Sequence, residues 1–455
     1  MLNNCKPIDN NNLLDKPELH NLRLLFGLNV FLLVVLYVMP QYFGIHIGWD
    51  ITCSRFANIL LVFYSLLSFR VFNLFTKSFL RCSITIPLCL YLLVATYTMI
   101  FRADINAFML VFLEILTLYM LVFAIRYVIG IRLAIRIIIG CAYFLSVYGF
   151  LEFVAGHSLY LQFLKTVPTA VVNCYRSGFY RIMGPCGHPL GYGLLLILFV
   201  AIACLDYEKD EIFLYKRPIL LIMLVINTFL TGSRSSQGLV AIEIILIILL
   251  SKGYNRKKAI FYTIALIFLA ATFLAVTYNT RLGRYLLMQI TMMIDQVFGT
   301  EISANFGADI TTLKNSEDYR EFLPYIFTLD WLNPLIGRGI KRGFAGQVFD
   351  SSGHSAYINS VDCFYICQYI KYAYPGLFAY VAFIITTVVS MIRGILKYKS
   401  DTMKLLLVGI VCYFVNLWWV DALQTQKFAY IFIALFFALL IYNKDSAKNT
   451  KDGTN

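Results

Sequence analysis

The sequence predicts an all-α, polytopic integral membrane protein with about twelve transmembrane helices and one large extracytoplasmic loop. Three observations predict it. The 455 residues are 60% hydrophobic and 14% charged, with a mean hydropathy of +0.74, whereas soluble domains carry roughly 25% charged residues. Apolar runs of about 18 or more residues, long enough to cross a bilayer as helices, recur along nearly the whole chain. The basic residues between those runs cluster in alternate connections, the asymmetry that sets orientation in a membrane.

The spans fall at residues 22–43, 57–75, 83–101, 107–125, 133–153, 189–205, 218–232, 236–251, 259–278, 375–392, 403–420 and 428–443. With the N-terminus placed in the cytoplasm, the inside connections hold Arg70, Lys77 and Arg81; Arg126, Arg132 and Arg136; Lys209, Lys216 and Arg217; Lys252, Arg256, Lys257 and Lys258; and Arg393, Lys397, Lys399 and Lys404. The short outside connections hold Arg55, Arg102, Arg234 and Lys427. A missed helix would scramble this pattern downstream, so the reading keeps an even number of spans and both termini inside.

The chain then divides into a cytoplasmic N-terminal tail (1–21), a five-helix membrane bundle (22–153), and a first part of a membrane core (154–278). The large extracytoplasmic loop (279–374), the C-terminal membrane helices (375–443) and a cytoplasmic tail (444–455) follow. The polar N-terminal tail has no cleavable signal pattern. The net charge of +13 does not point to nucleic acid, because it is distributed as orientation clusters. The 11 Cys show no zinc spacing and mostly sit in apolar runs as small core side chains. Cys174 and Cys186 share one outer connection and are within reach of pairing.

Two outside connections are far longer than a linker needs, 154–188 and 279–374. In the second, residues 281–299 read as an amphipathic helix on the membrane surface. Residues 316–329 read as a short helix with Ser316 as N-cap, and 330–347 as turn-rich, with Asn333-Pro334 and several Gly. A helix through 355–372 would put Ile358, Asp362 and Tyr365 on one face, ended by Pro375-Gly376.

Charges outside the orientation clusters are the candidates for chemistry. Arg176 and Arg181 precede a Gly-rich entry into a helix that begins at His188-Pro189, an arrangement suited to an anion. Interfacial arginines reaching lipid headgroups are the alternative. Arg234 tips a polar hairpin, Phe229 to Gly238, between two short apolar runs; a solvated turn is the alternative. In the large loop, Arg320 precedes the Asn333–Gly339 turn, and His354 and Asp362 follow. Histidine suits proton removal near neutral pH, and a plain loop histidine is the alternative.

Laid out in order, these segments resemble the O-antigen polymerase (Wzy-type) and O-antigen ligase superfamily. The resemblance covers roughly residues 175–395. It rests on Arg181, Gly184, His188 and Pro189; then Thr231, Ser233 and Arg234; then Arg320 with Asn333, Pro334, Gly337 and Gly339; then His354, Asp362 and Gly376.

The resemblance implies polymerisation of undecaprenyl-diphosphate-linked oligosaccharides at the outer face of a bacterial cytoplasmic membrane, by a glycosyltransferase using no metal or cofactor. It implies that Arg181, Arg234 and Arg320 hold the diphosphate, with Arg176 and Arg338 as further binding candidates, and that His354 acts on the acceptor hydroxyl, with Arg320 and Asp362 as the other catalytic candidates. Guanidiniums are what would stabilise a diphosphate leaving group without a metal. Flippase and chain-length regulator proteins are implied partners. His354-Ser355 fits the start of the ligase pattern, but Tyr365 stands where ligases carry Gly, which favours a polymerase. A ligase to an outer acceptor, or a flippase or transporter with Glu114 and Glu243 inside spans, are the competing readings. For those two glutamates a polar contact between helices is the simpler account.

Overall fold

The computed structural model describes residues 18–40, 42–46, 50–164, 171–422 and 425–452. The expected tails 1–21 and 444–455 lie partly outside these residues. The chain is mostly helical: α1 (Arg23–Val38), α2 (Cys53–Leu67), α3 (Phe69–Arg81), α4 (Thr85–Arg102), α5 (Ile105–Phe123), α6 (Ile131–Ala155), α7 (Leu159–Leu164) and α8 (Pro189–Ala203). Then follow α9 (Pro218–Leu230), α10 (Arg234–Leu250), α11 (Gly253–Thr277), α12 (Arg281–Phe298), α13 (Ile310–Phe322), α14 (Phe364–Tyr398), α15 (Asp401–Asn416) and α16 (Gln426–Asp452). The expected spans fall on helices, except that 57–75 is divided between α2 and α3. Among the described residues six helices are long and apolar enough to cross a membrane unaided, or seven if α2 and α3 form one broken span, fewer than the twelve spans expected. The protein is therefore read as membrane-embedded.

Hydrophobic residues all round a helix predict burial on every side. α8 fits, with residues from Pro189 to Ala203 almost wholly enclosed, and so does α16 from Phe428 to Ile441. Around them α4, α5, α6, α10, α14 and α15 build one continuous core. α11 stands at the edge with nearly all its apolar surface exposed.

Ion pairs mark one end of the bundle. Asp445 joins Arg81 (2.7 Å) and Arg126 (2.9 Å), Asp401 joins Lys252 (3.2 Å) and Lys404, and Asp206 joins Lys216 (2.6 Å). These basic residues come from the connections read as one-sided in the sequence. The opposite end carries the large loop, which is a folded cap. Its own small core gathers Leu323, Ile326, Leu332, Phe344, Val348 and Ile358 against Ile366 and Tyr369 of α14.

Several expectations are corrected. The span 57–75 is two helices meeting at 116° at Ser68. In α3 the 3.6-residue period sorts Val71, Leu74 and Ser78 onto the bundle, with Phe72, Phe75 and Phe79 on a second face and Arg70 and Lys77 on a third. That pattern suits a helix lying in the membrane surface. Ser316 is no N-cap, because the helix already starts at Ile310. The stretch 355–372 is not one helix: Ser355–Ile358 pairs antiparallel with Gly346–Phe349, and α14 begins only at Phe364. Ile358, Asp362 and Tyr365 therefore share no helical face. Cys174 and Cys186 are both free thiols.

The Asn333–Gly339 turn explains how α14 survives Pro375. Proline has no N–H, so the Lys371 carbonyl loses its helical partner; the chain kinks at Ala373 (φ 55°, ψ −167°). The turn supplies what is missing. Gly339 N–H donates to Lys371 O (3.1 Å), Arg338 N–H to Ile370 O (2.8 Å), and Tyr374 N–H to Pro334 O (3.1 Å). A Cβ on Gly337 would overlap the Lys371 carbonyl, and Gly339 sits at φ +79° against Asp104. Asp104 caps α5 through Asn106 N–H (3.1 Å) and accepts from Ile340 N–H (2.6 Å) and Lys341 N–H (2.9 Å). This motif is a latch that fastens the cap to α4, α5 and α14.

Candidate anion-binding site

Two backbone turns build the site at the cap end. The first is a tight hairpin, Tyr175–Arg176 against Phe179–Tyr180, closed by Ser177 (φ 48°) and Gly178 (φ 76°). Two consecutive left-handed residues give the turn that matches strand twist. Arg181 N–H donates to Cys174 O (2.9 Å), and Ile182 N–H to Leu230 O (3.2 Å) at the end of α9. From below, the fully buried Glu152 of α6 holds the segment. It accepts from Tyr180 OH (2.6 Å), Met183 N–H (3.2 Å) and Gly184 N–H (2.9 Å).

The second turn joins α9 to α10. Thr231 OH donates to Thr228 O (2.7 Å), Gly232 takes φ +61°, and Ser233 occupies the N-cap position, so that Arg234 is the first residue of α10. Arg181, only 7% exposed, donates through Nε to Thr231 O (2.7 Å) and through its terminal nitrogen to Gly232 O (3.3 Å). Arg176 donates to the same Gly232 carbonyl (3.5 Å). Carbonyls fix these two guanidiniums without cancelling their charge. Among the described residues neither pairs with a carboxylate.

The same cations bear on one another electrostatically. Burial lowers the Arg176 pKa, and Arg181, Arg234 and Arg320 each lower it further. Arg181 is lowered by burial and by Arg234. Four guanidiniums from three separated segments thus share one field. Arg320, on α13, reaches Asp362 Oδ2 at 3.8 Å, while its Nε is buried without a hydrogen bond. The Asp362 carboxyl is raised above its ordinary 3.8 by burial, opposed by Arg320 and reinforced by Asp421.

Three further groups complete the site: His188, which the sequence marked as the start of the helix behind Arg176 and Arg181, and Tyr285 and Phe179, to which it gave no role. His188 caps α8, its Nδ1 accepting from Leu190 N–H (3.3 Å). Burial, then Arg181 and Arg176, pull its pKa down to about 4. The ring is neutral at pH 7 with its proton on Nε2, so it is a hydrogen-bond donor and a poor base. Tyr285 of α12 donates to Phe229 O (3.2 Å), and burial pushes its phenol up to about 12 against the pull of Arg181 and Arg176. Phe179 packs on Tyr285 at 4.7 Å and carries the Arg281 guanidinium at 5.4 Å on its ring.

Two expected members make their contacts elsewhere. The His354 side chain is 80% exposed, in the turn between strands Gly346–Phe349 and Ser355–Ile358. Its Nδ1 meets Ser352 Oγ (2.9 Å) and Asp350 Oδ2 (3.3 Å), both in its own turn. The β-hairpin, absent from the sequence reading, is what carries it outward. Arg338 lies in the latch, its guanidinium 4.7 Å over the Trp331 ring, with Arg342 and Arg102 as its charged neighbours. Among the described residues no group of three or more His, Cys, Asp or Glu side chains is arranged to hold a metal ion.

The site is therefore a cationic cradle at a membrane-protein surface, able to hold a concentrated anion beside a carboxylate. The chain matches no protein-family model, and no curated protein sequence matches it.

Proposed function

We propose that this protein is a membrane glycosyltransferase that polymerises oligosaccharide repeat units carried on undecaprenyl diphosphate, at the outer face of a bacterial cytoplasmic membrane. The observation that carries this reading is that Arg176 and Arg181 meet on the Gly232 carbonyl, two residues before Arg234, with Arg320 near enough to help lower the Arg176 pKa. In this reading the guanidiniums and the His188 Nε2–H face the donor's diphosphate. An acceptor sugar hydroxyl attacks the donor's anomeric carbon. The bond from that carbon to the diphosphate oxygen breaks, the lipid diphosphate leaves, and the hydroxyl proton passes to Asp362. A carboxyl raised by burial and 3.8 Å from Arg320 suits that role better than the exposed His354, whose ring contacts lie in its own turn.

The test is chain length in cells lacking the native gene and carrying variants. Arg181→Ala, Arg234→Ala and Arg320→Ala should each leave single repeat units on the carrier while the protein still inserts. Losing one charge-stabilising donor costs about 10²–10³-fold in rate. Arg→Lys should rescue poorly, because Lys lacks the planar fork. Full-length chains in the Ala variants would refute the assignment. Long chains formed but unattached in the deletion strain would indicate a ligase instead, and carrier-linked sugar stalled on the inner leaflet a transporter.

A further inference from the structure

A second set of cations lies on the cap end, in the latch. Arg102 ends α4 and donates to Gly337 O (2.7 Å) and Ile336 O (3.1 Å). The Arg338 guanidinium rests on Trp331, whose ring stacks on Phe344 at 5.6 Å and 15°. Arg342 and Lys341 follow on the exposed side of the turn. Partial burial lowers the Arg338 pKa, and Arg342 and Arg102 lower it further, so these charges crowd one another. Asp104, the acid of the latch, is engaged by the Ile340 and Lys341 N–H groups. Among the described residues no carboxylate pairs with Arg102, Arg338 or Arg342.

The surroundings identify the chemistry. Beside these cations Ile100, Phe101 and Leu335 expose 67%, 66% and 66% of their surface. In a membrane protein such residues mark the lipid-facing rim, and cations just above that rim stand at headgroup level. Ordinary rim arginines are free to swing, whereas Arg102 is tied to two carbonyls and Arg338 to an indole, and the one acid of the latch, Asp104, is directed at backbone N–H groups rather than at their guanidiniums. Fixed guanidinium forks of this kind match phosphate oxygens.

We propose that Arg102, Arg338 and Arg342, with Lys341, form a binding site for the phosphate of a membrane lipid, separate from the Arg176 cradle. Two sources supply that phosphate: a bulk anionic phospholipid, or the diphosphate of a polyprenyl carrier. The proposal does not rest on the glycosyl-transfer reading.

The test is lipid retention by the purified full chain in detergent, titrated with dioleoylphosphatidylglycerol, undecaprenyl diphosphate, or phosphate-free dioleoylglycerol. Arg338→Gln/Arg342→Gln should raise Kd about tenfold for at least one phosphate lipid and leave dioleoylglycerol unchanged. Arg342→Gln alone should give part of that loss; its side chain is exposed and outside the latch bonds, so folding is not at stake. Both series are run in the native chain and in one carrying Arg181→Ala, which removes the first cradle. A loss confined to phosphatidylglycerol assigns a bulk lipid. A loss of undecaprenyl diphosphate that persists with Arg181→Ala assigns the carrier. Unchanged affinity for both phosphate lipids would overturn the site.

Discussion

Replacing Glu152 tests whether the cradle is held from beneath. Its carboxyl accepts three hydrogen bonds: Oε1 takes Tyr180 OH and Met183 N–H, and Oε2 takes Gly184 N–H. Glu152→Gln keeps the size and one accepting oxygen. The amide's NH2 must then face at least one donor, and its least costly orientation opposes Gly184 N–H. A buried donor left unsatisfied costs about 1–3 kcal/mol. Glu152→Ala strands all three donors, so about 3–9 kcal/mol is expected on the same scale. Domains of 150–250 residues lose roughly 2–4 °C per kcal/mol, and a larger chain about half that. Thermal unfolding of the purified protein should therefore shift by a few degrees for Gln and about three times as much for Ala. Because Tyr180 and Met183 flank Arg181, the Gln variant should also gain less thermal protection from added undecaprenyl diphosphate. If both variants melt like the native protein with undiminished lipid protection, Glu152 does not position the cradle.

Three other outcomes follow from the geometry. Gly339→Ala forces a side chain into φ +79° with its Cβ 2.6 Å from Asp104 Oδ2; the left-handed backbone alone costs about 1–2 kcal/mol, and faster proteolysis within 330–347 is the readout. Asp362 has a raised folded pKa, so as a base it should lose rate as pH falls through that value, and Asp362→Asn should lower the rate and abolish the acid limb. The stability sign is opposite: the folded state binds the Asp362 proton more tightly, so this group's contribution falls as pH rises from 3.8 through the raised value. Asp362→Asn should then melt higher than native protein at neutral pH, with the difference vanishing in acid. His354→Ala should leave chain growth within about twofold of native, because surface changes away from partners are mild; a collapse in activity would restore it to the site.

How much of this was written in the chain depends on distance. Apolar runs specify helices locally, so the helical content was legible although six or seven helices, not twelve, are of membrane-crossing length among the described residues, and isolated arginines in so apolar a chain are conspicuous. The break at Ser68 was hidden because no Gly or Pro marks it, yet the Phe72, Phe75 and Phe79 stripe was a usable sign of a surface helix. The hairpin around His354 was also signalled, by alternating residues on both sides of Asp350-Ser-Ser-Gly. What sequence cannot express is pairing across the fold. The Asn333–Gly339 turn was recognised as a turn, but its purpose depends on the carbonyl orphaned by Pro375. Glu152 and Tyr285 acquire meaning only through Gly184, Phe229 and the arginines they meet.

The shortness of α9 has a mechanical consequence. Thirteen residues extend about 20 Å, against a hydrocarbon thickness of roughly 30 Å. The 25-residue α6 reaches about 37 Å on the same rise. If α9 spans the bilayer, a membrane meeting both helices would thin where α9 turns into α10. The guanidiniums at that turn would then sit in a depression, and lipid thickness would become a control on how readily a headgroup sinks to meet them.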